Sequence, residues 1–294
     1  MNSPIVQLPE AQLRPLITSY DAAVRARRWQ TMLVIACIVA AVGLSSVSAE
    51  VSLAKLFGNI GNFTSYVYRL LHLDSGAAVW TNPVEWYWGL GRWLRLLTET
   101  LLMAYVGTVL GAGGAFVLCF VAAANVGPSR WLRVTVKRMF ELCRTVPELV
   151  FALMFVIAFG LGPVAGVLAL AIHCFGALGK LFAEAVENVD MKPVEGVSAT
   201  GAAWPVAMRY AVLPQTLPTF VSYALLRFEI NVRGAAVIGF VGAGGIGVDL
   251  LEAIRKFYYS DVSAMLLLIV ITVAIIDTLT AKVRHRLIGM EERR

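Results

Sequence analysis

Charge is scarce in this chain. Asp, Glu, Lys and Arg make up 15% of its 294 residues and hydrophobic types 59%, whereas a soluble globular domain carries about a quarter charged residues. That shortage excludes an ordinary water-soluble domain. The formal charge of +6 does not indicate a nucleic-acid partner, because Arg and Lys sit in small groups at the ends of apolar runs and no basic block is interleaved with aromatics. Cysteine is equally thin: Cys37, Cys119, Cys143 and Cys174 include no CxxC spacing, and three lie in apolar runs, where cysteine is a small packing residue. His72, His173 and His285 lie far apart, so no metal cluster and no cofactor is expected on the chain. There is no G-x4-G-K-[ST] phosphate loop, so no nucleotide site of that type is expected on the chain. No Ser/His, Asp/Asp or HExxH pairing falls inside the apolar runs, which argues against an intramembrane enzyme. No repeat of period 20–50 residues is visible.

What the chain has is long apolar runs, with a mean hydropathy of +0.74. A spanning helix needs about 20 mostly apolar residues. The first candidate is 31–49; Arg25, Arg27 and Arg28 before it place the N-terminus in the cytoplasm. The mostly polar residues 1–30 make this run a permanent helix rather than a cleaved signal. Residues 50–97 form an extracytoplasmic segment in which Trp80, Trp86, Trp88 and Trp93 suit a membrane–water interface, with a carbohydrate patch as the sharper alternative. The second span is 98–124, where Gly107, Gly111 and Gly114 allow close helix packing. A basic cytoplasmic loop with Arg130, Arg133, Lys137, Arg138 and Arg144 follows. Spans at 146–159, 164–187, 217–241 and 261–281 complete the set, and Lys282, Arg284 and Arg286 return the chain to the cytoplasm. The expectation is an all-α polytopic membrane protein with six transmembrane helices and both termini inside. Its divisions are a cytoplasmic segment 1–30, the first helix and interfacial segment 31–97, a transmembrane domain 98–289, and a tail 290–294.

Between the fourth and fifth spans lies "EGVSATGAAWPVAMRYAVLP", 195–214. Its spacing predicts a short helix, a break at Gly201, and a second helix that accepts Pro205 in its first turn. Pro214 and Pro218 are expected to stop that helix and start the next span. Such an elbow can project from the bilayer into a groove on a cytoplasmic partner. The pattern E-x5-G-x11-L-P resembles the EAA loop of binding-protein-dependent ABC importer permeases, with Gly196-Val197 where that loop has Ala-Ala and Ala211 where it has Ile. "RTVPELVFALMFV" (144–156), "LRFEINVRGAAVIGFVGAGGIG" (226–247) and "DTLTAKVRHRLIG" (277–289) are similar to the phosphonate-transporter permeases. The likeness covers about 98–289.

The resemblance implies a type I (MetI-like) importer core in the bacterial inner membrane. It also implies a second permease subunit, identical by default, a dimer of cytoplasmic ABC ATPase subunits that bind ATP and Mg, and an extracytoplasmic substrate-binding protein. The cargo would be phosphonate or a related small phosphorus oxyanion such as phosphite, hypophosphite or phosphate. Glu195, Gly201, Ala202, Leu213 and Pro214 would couple to the ATPase, and the permease itself would do no chemistry. The alternative is an ion-coupled secondary transporter or channel for a small anion, of which paired acidic residues in the spans or inverted repeats would be the sign.

Span five carries Arg227, Glu229, Asn231 and Arg233. Charges there cost at least ~2.5–3.5 kcal/mol each on insertion scales, so they face protein or water. Glu229 and Arg233 are four apart in the order that favours an ion pair, which leaves the group at +1. Two readings stand. In one, the pair locks span five to a neighbour, and Arg227 snorkels or pairs with Glu184. In the other, Arg227 and Arg233 line an oxyanion route that Glu229 partly neutralises. Lys180 is expected to snorkel, and His173 to be a lone packed imidazole. The tract with Gly242, Gly244 and Gly245 is read as a tightly packed, flexible helix end or gate, with direct ligand contact as the alternative.

Overall fold

The computed structural model describes residues 10–48, 52–73 and 75–291, which fall into two compact units dividing between Tyr66 and Val67. The first unit contains α1 (Glu10–Ser48) and α2 (Leu53–Gly58), with α3 (Ile60–Leu70) running across the division. At 39 residues, α1 is about 58 Å long. Thr18–Ser46 reads as a span whose most apolar window is entirely unburied, so Leu33, Ile35, Ile38 and Val39 are free to meet lipid. The helix begins well before residue 31 and runs unbroken from Glu10 to Ser48.

The second unit is a helical bundle. A one-turn α4 (Pro83–Trp86) leads into α5 (Leu90–Ala122). Next come α6 (Arg130–Thr145), α7 (Glu148–Phe159) and α8 (Pro163–Glu187). The elbow contributes α9 (Met191–Ala199) and α10 (Trp204–Ala207), and a π-helical turn, Met208–Val212, passes directly into α11 (Leu213–Ile238). A 3₁₀ turn (Gly239–Val241), α12 (Ile246–Arg255) and α13 (Tyr259–Glu291) close the chain. Among the described residues, four helices are long and apolar enough to cross a membrane. Two bent pairs, α6–α7 and the helix from Trp204 with α12, bring the number to six if each is one span.

The centre is the α5–α8 crossing, set by glycine. A β-carbon on Gly111 would lie 2.7 Å from the Ala171 carbonyl oxygen, and one on Gly107 2.8 Å from the Leu170 β-carbon, so the backbones approach as the small-residue spacing predicts. Beneath this crossing a cluster forms from Cys119, Phe140, Phe182, Val186, Met208, Val212 and Phe220. The Phe182 and Phe220 rings stack with centroids 4.3 Å apart. Above it Met103, Ala152, Ala165, Ala169 and Ile238 pack together. A third cluster surrounds Trp93, Ile246 and Met265.

Two expectations are corrected. The third span is not a straight helix after a loop. Its twelve-residue α7 is about 18 Å long, short of the ~30 Å hydrocarbon core. Residues 130–145 are helical and lie at 86° to it. Pro147 forces Val146 into extended backbone and breaks the run, while Val136 and Phe140 bury one face of α6, with the Phe140 ring in the space left by Gly179. Nor do Pro214 and Pro218 stop a helix. Leu213 donates its N–H to Met208 O, five residues back. That extra residue per turn accommodates a proline that can neither donate nor tolerate the usual carbonyl beneath it. Pro218 then sits inside a continuous α11.

Candidate coupling and translocation sites

In the elbow, Asp190 caps α9 by accepting from Lys192 N (3.0 Å). The turn is made at Gly201, whose φ of +80° is the left-handed region that a β-carbon disfavours. Trp204 then donates to Val126 O at 2.6 Å, tying the second arm to the α5–α6 link. Gln215 joins both arms: its Oε1 accepts from Asp190 N (3.0 Å), and its Nε2 donates to Asp190 O (3.2 Å) and Ala211 O (2.7 Å). Val194, Ala207, Met208, Ala211 and Val212 bury the stem in the lower cluster. Glu195, Gly201 and Pro214 are exposed, and Ala202 and Leu213 half-buried. The structure therefore brings Gly201 and Ala202 to the tip and Glu195 to the free flank of α9, while Leu213 and Pro214 lie at the root, inside the helix that becomes α11. Trp204 and Gln215 were not singled out by sequence, since a polar staple depends on which carbonyls folding brings near.

The charges of α11 find partners on other helices. Glu229 and Arg233 do not pair with each other. Arg233 Nη2 lies 2.7 Å from Asp277 Oδ2 of α13. Glu229, 7% exposed, accepts from the Thr280 hydroxyl and has Arg284 Nη2 at 4.0 Å. A helix pair four residues apart is worth only a few tenths of a kcal/mol, and the α11–α13 contact offers Glu229 a buried hydroxyl and Arg233 a carboxylate at 2.7 Å. Arg227 neither snorkels nor meets Glu184. Its Nη2 lies 2.7 Å from His173 Nδ1, and its Nε is buried with no partner. His173 is therefore not lone: Glu148 Oε2 lies 3.3 Å from the same Nδ1, and the Arg144 carbonyl 3.3 Å from Nε2. Gly234 makes room for Glu148, since a β-carbon there would lie 2.6 Å from its Oε1. Lys180 pairs with Glu184 at 3.5 Å. The +1 expected of span five is thus cancelled across helices by Glu148 and Asp277, with Arg284 balancing Glu229. Asn231 is fully buried and donates to Thr108 Oγ1 at 2.8 Å. Arg233 and Asp277 keep 52% and 38% side-chain exposure.

The glycine tract is a packed joint. Gly242, Gly244 and Gly245 have φ of +84°, +87° and +75°. Gly245 N donates to Glu99 Oε1 (3.1 Å) and Ile246 N to Thr100 Oγ1 (2.9 Å), so α5 caps the start of α12. Gly242 O accepts from Gly162 N (3.0 Å), joining the tract to the α7–α8 turn. A β-carbon on Gly239 would lie 2.6 Å from Gly247 Cα. Nearby, Trp86 Nε1 donates to Ser263 Oγ (3.0 Å) and Trp88 Nε1 to Asp261 Oδ1 (2.9 Å), docking the tryptophan segment on the start of α13. Trp93 is 3% exposed and belongs to the core. Among the described residues no group of His, Cys, Asp and Glu could hold a metal ion.

Spanning helices tied to one another by ion pairs, with an elbow rooted in one of them, are the architecture of a polytopic membrane protein. Residues 115–287, more than half the chain, match the family of the binding-protein-dependent transport system inner membrane component, and the chain belongs to that family. It is 41% identical over 196 residues to the phosphite transport system permease protein PtxC of Stutzerimonas stutzeri, covering 67% of this chain and 71% of that one. It is 31% identical over 265 residues to the putative phosphite transport system permease protein HtxC of the same organism, covering 90% and 89%. With the phosphate-import permease protein PhnE of Mycolicibacterium smegmatis it shares 40% over 193 residues, 66% of this chain and 36% of that one. Among solved structures, the inward-facing MetNI methionine ABC transporter superposes with a TM-score of 0.58 at 22% identity, covering 70% of this chain and 98% of that one. An ABC transporter that imports alginate gives 0.59 at 12%, covering 88% and 99%. These likenesses establish the MetI-like importer core as the fold.

Proposed function

We propose that this chain is the permease subunit of an ATP-driven importer for a small phosphorus oxyanion: phosphite, phosphonate, hypophosphite or phosphate. The observation that carries the reading is its 41% identity with a phosphite-system permease over 196 residues, two thirds of the chain. Two copies of the chain form the route. A dimer of cytoplasmic ATPase subunits holds ATP and Mg, and an extracytoplasmic binding protein delivers the anion. Both termini lie in the cytoplasm. The elbow at 195–214 docks on the ATPase, presenting Glu195 and the Gly201–Ala202 tip, and Leu213–Pro214 passes the movement into α11 without a hinge. Of Arg227, Glu229, Asn231 and Arg233 on α11, Glu229 and Asn231 are buried and hold helices together, so Arg227 and Arg233 remain to meet an anion. The Gly242–Gly245 joint lets α12 change its angle to α11.

The test is reconstitution of the chain with a partner ATPase and binding protein. Phosphite, methylphosphonate, hypophosphite and phosphate are supplied in turn, and ATP hydrolysis and uptake are measured. Stimulation by at least one, with uptake that requires ATP, is expected. Uptake driven by an ion gradient without the ATPase would replace this reading with an ion-coupled carrier.

A further inference from the structure

Arg227, His173 and Glu148 meet at one atom. His173 Nδ1 has the Arg227 Nη2 at 2.7 Å and the Glu148 Oε2 at 3.3 Å. An imidazole nitrogen either accepts through its lone pair or donates its N–H. A guanidinium can only donate, and a carboxylate here can only accept. The two contacts are therefore mutually exclusive in chemistry though adjacent in space. With Nδ1 bare, the ring accepts from Arg227 and its Nε2–H donates to the Arg144 carbonyl, 3.3 Å away. With Nδ1 protonated, the ring donates to Glu148, and the imidazolium repels Arg227 instead of holding it.

The surroundings suit such an exchange. Glu148 opens α7, where the helix dipole favours a carboxylate, and Gly234 of α11 leaves the space it occupies. The groups facing the ring are Arg227 from α11, Glu148 from α7 and Arg144 of α6 through its carbonyl, and Cys174 of α8 lies against Arg227 and Asn231. From α5, Thr108 is one step removed through Asn231. The side chains of His173 and Glu148 keep 20% and 25% exposure, so protons can reach them. Arg227 has a buried Nε without a partner, a donor left over for a second acceptor. A tetrahedral oxyanion accepts two parallel N–H groups from one guanidinium.

We propose that Arg227 is a gated oxyanion contact and that His173 and Glu148 are its gate: neutral His173 holds the guanidinium, and protonated His173 turns to Glu148 and releases it to the cargo. His173 and Glu148 are positioning residues that do not touch the anion. The inference rests on the proposed importer reading and deepens it by assigning the state in which the cationic contact is offered.

The test uses the reconstituted complex with ATPase and binding protein and inorganic phosphate or phosphite as probe, between about pH 5.5 and 8, the range in which histidine titrates. Because these anions gain a proton over the same range, the quantity read is the ratio of variant to unsubstituted uptake at each pH. His173→Gln offers Arg227 a permanent neutral acceptor, and its ratio should fall several-fold toward acid, where the unsubstituted gate opens. Glu148→Gln removes the carboxylate to which the protonated ring turns, and its ratio should likewise fall toward acid. A ratio independent of pH in His173→Gln overturns the proposal. Co-purification of the ATPase reports assembly. If His173→Gln does not assemble, Glu148→Gln decides, and a ratio independent of pH overturns the gate. Unsubstituted protein whose uptake needs neither ATP nor binding protein refutes the importer reading itself, a result separable from either variant's profile.

Discussion

Gly111 and Gly113 lie two residues apart on α5 and should respond oppositely to the same methyl group. A β-carbon at 111 would stand 2.7 Å from the Ala171 carbonyl oxygen, 2.7 Å from the Cys174 β-carbon and 2.9 Å from the Phe175 nitrogen, whereas one at 113 meets nothing within 4 Å. Two of the three obstacles at 111 are backbone atoms of α8, which cannot rotate away, so α5 and α8 must separate. Overpacking of this kind costs about 1–3 kcal/mol. Alanine in a helix interior gains about 1 kcal/mol over glycine, equally at both positions, so Gly113→Ala should stabilise by that amount. The propensity term cancels between the variants, and their difference, about 1–3 kcal/mol in favour of Gly113→Ala, isolates the helix–helix contact. Thermal or denaturant unfolding of the purified chain, followed by far-ultraviolet circular dichroism, measures it. Equal shifts for both variants would refute the close α5–α8 crossing.

Gly201→Val should strain the left-handed turn by about 1–2 kcal/mol and lower ATP-driven uptake while the chain still inserts, as membrane fractionation with transport assays would show. Asp277→Asn should lower stability, and Arg233→Gln placed beside it should restore part of the loss. A double-mutant cycle on unfolding should give a coupling of no more than about 1 kcal/mol, because both side chains are half exposed. Trp86→Phe removes the bond to Ser263 and should cost about 0.5–1.5 kcal/mol, read as a lower unfolding midpoint. Asn231→Leu leaves the Thr108 hydroxyl with one partner fewer and should destabilise by about 1–3 kcal/mol. A neutral outcome would show that the α5–α11 contact does not depend on this bond.

Much of the bundle was legible along the chain, because crossing a bilayer demands a linear signal. Apolar runs near twenty residues, basic flanks and small residues at helical spacing each act locally, so α8 and α11 fall close to their expected bounds, while α5 begins earlier and α13 ends later than the apolar runs themselves. The elbow was legible as a helix, a glycine turn and a second helix because only glycine occupies its φ of +80° comfortably. The third span misled because Phe140 and Val136 commit α6 to α8 only when Gly176 and Gly179 are there to receive them.

The sequence by itself determined that this is an all-α membrane protein of six apolar segments, since the cost of charge and unpaired backbone in hydrocarbon constrains composition residue by residue. It determined the resemblance of the elbow and the glycine tract for the same local reason. Which charge answers which was decided by tertiary structure alone. Arg233 chose Asp277 over Glu229, and Arg227 chose His173, because partners 44 and 54 residues away become neighbours only when the helices pack together. Each charge takes the partner that packing supplies, not the one that helical spacing offers.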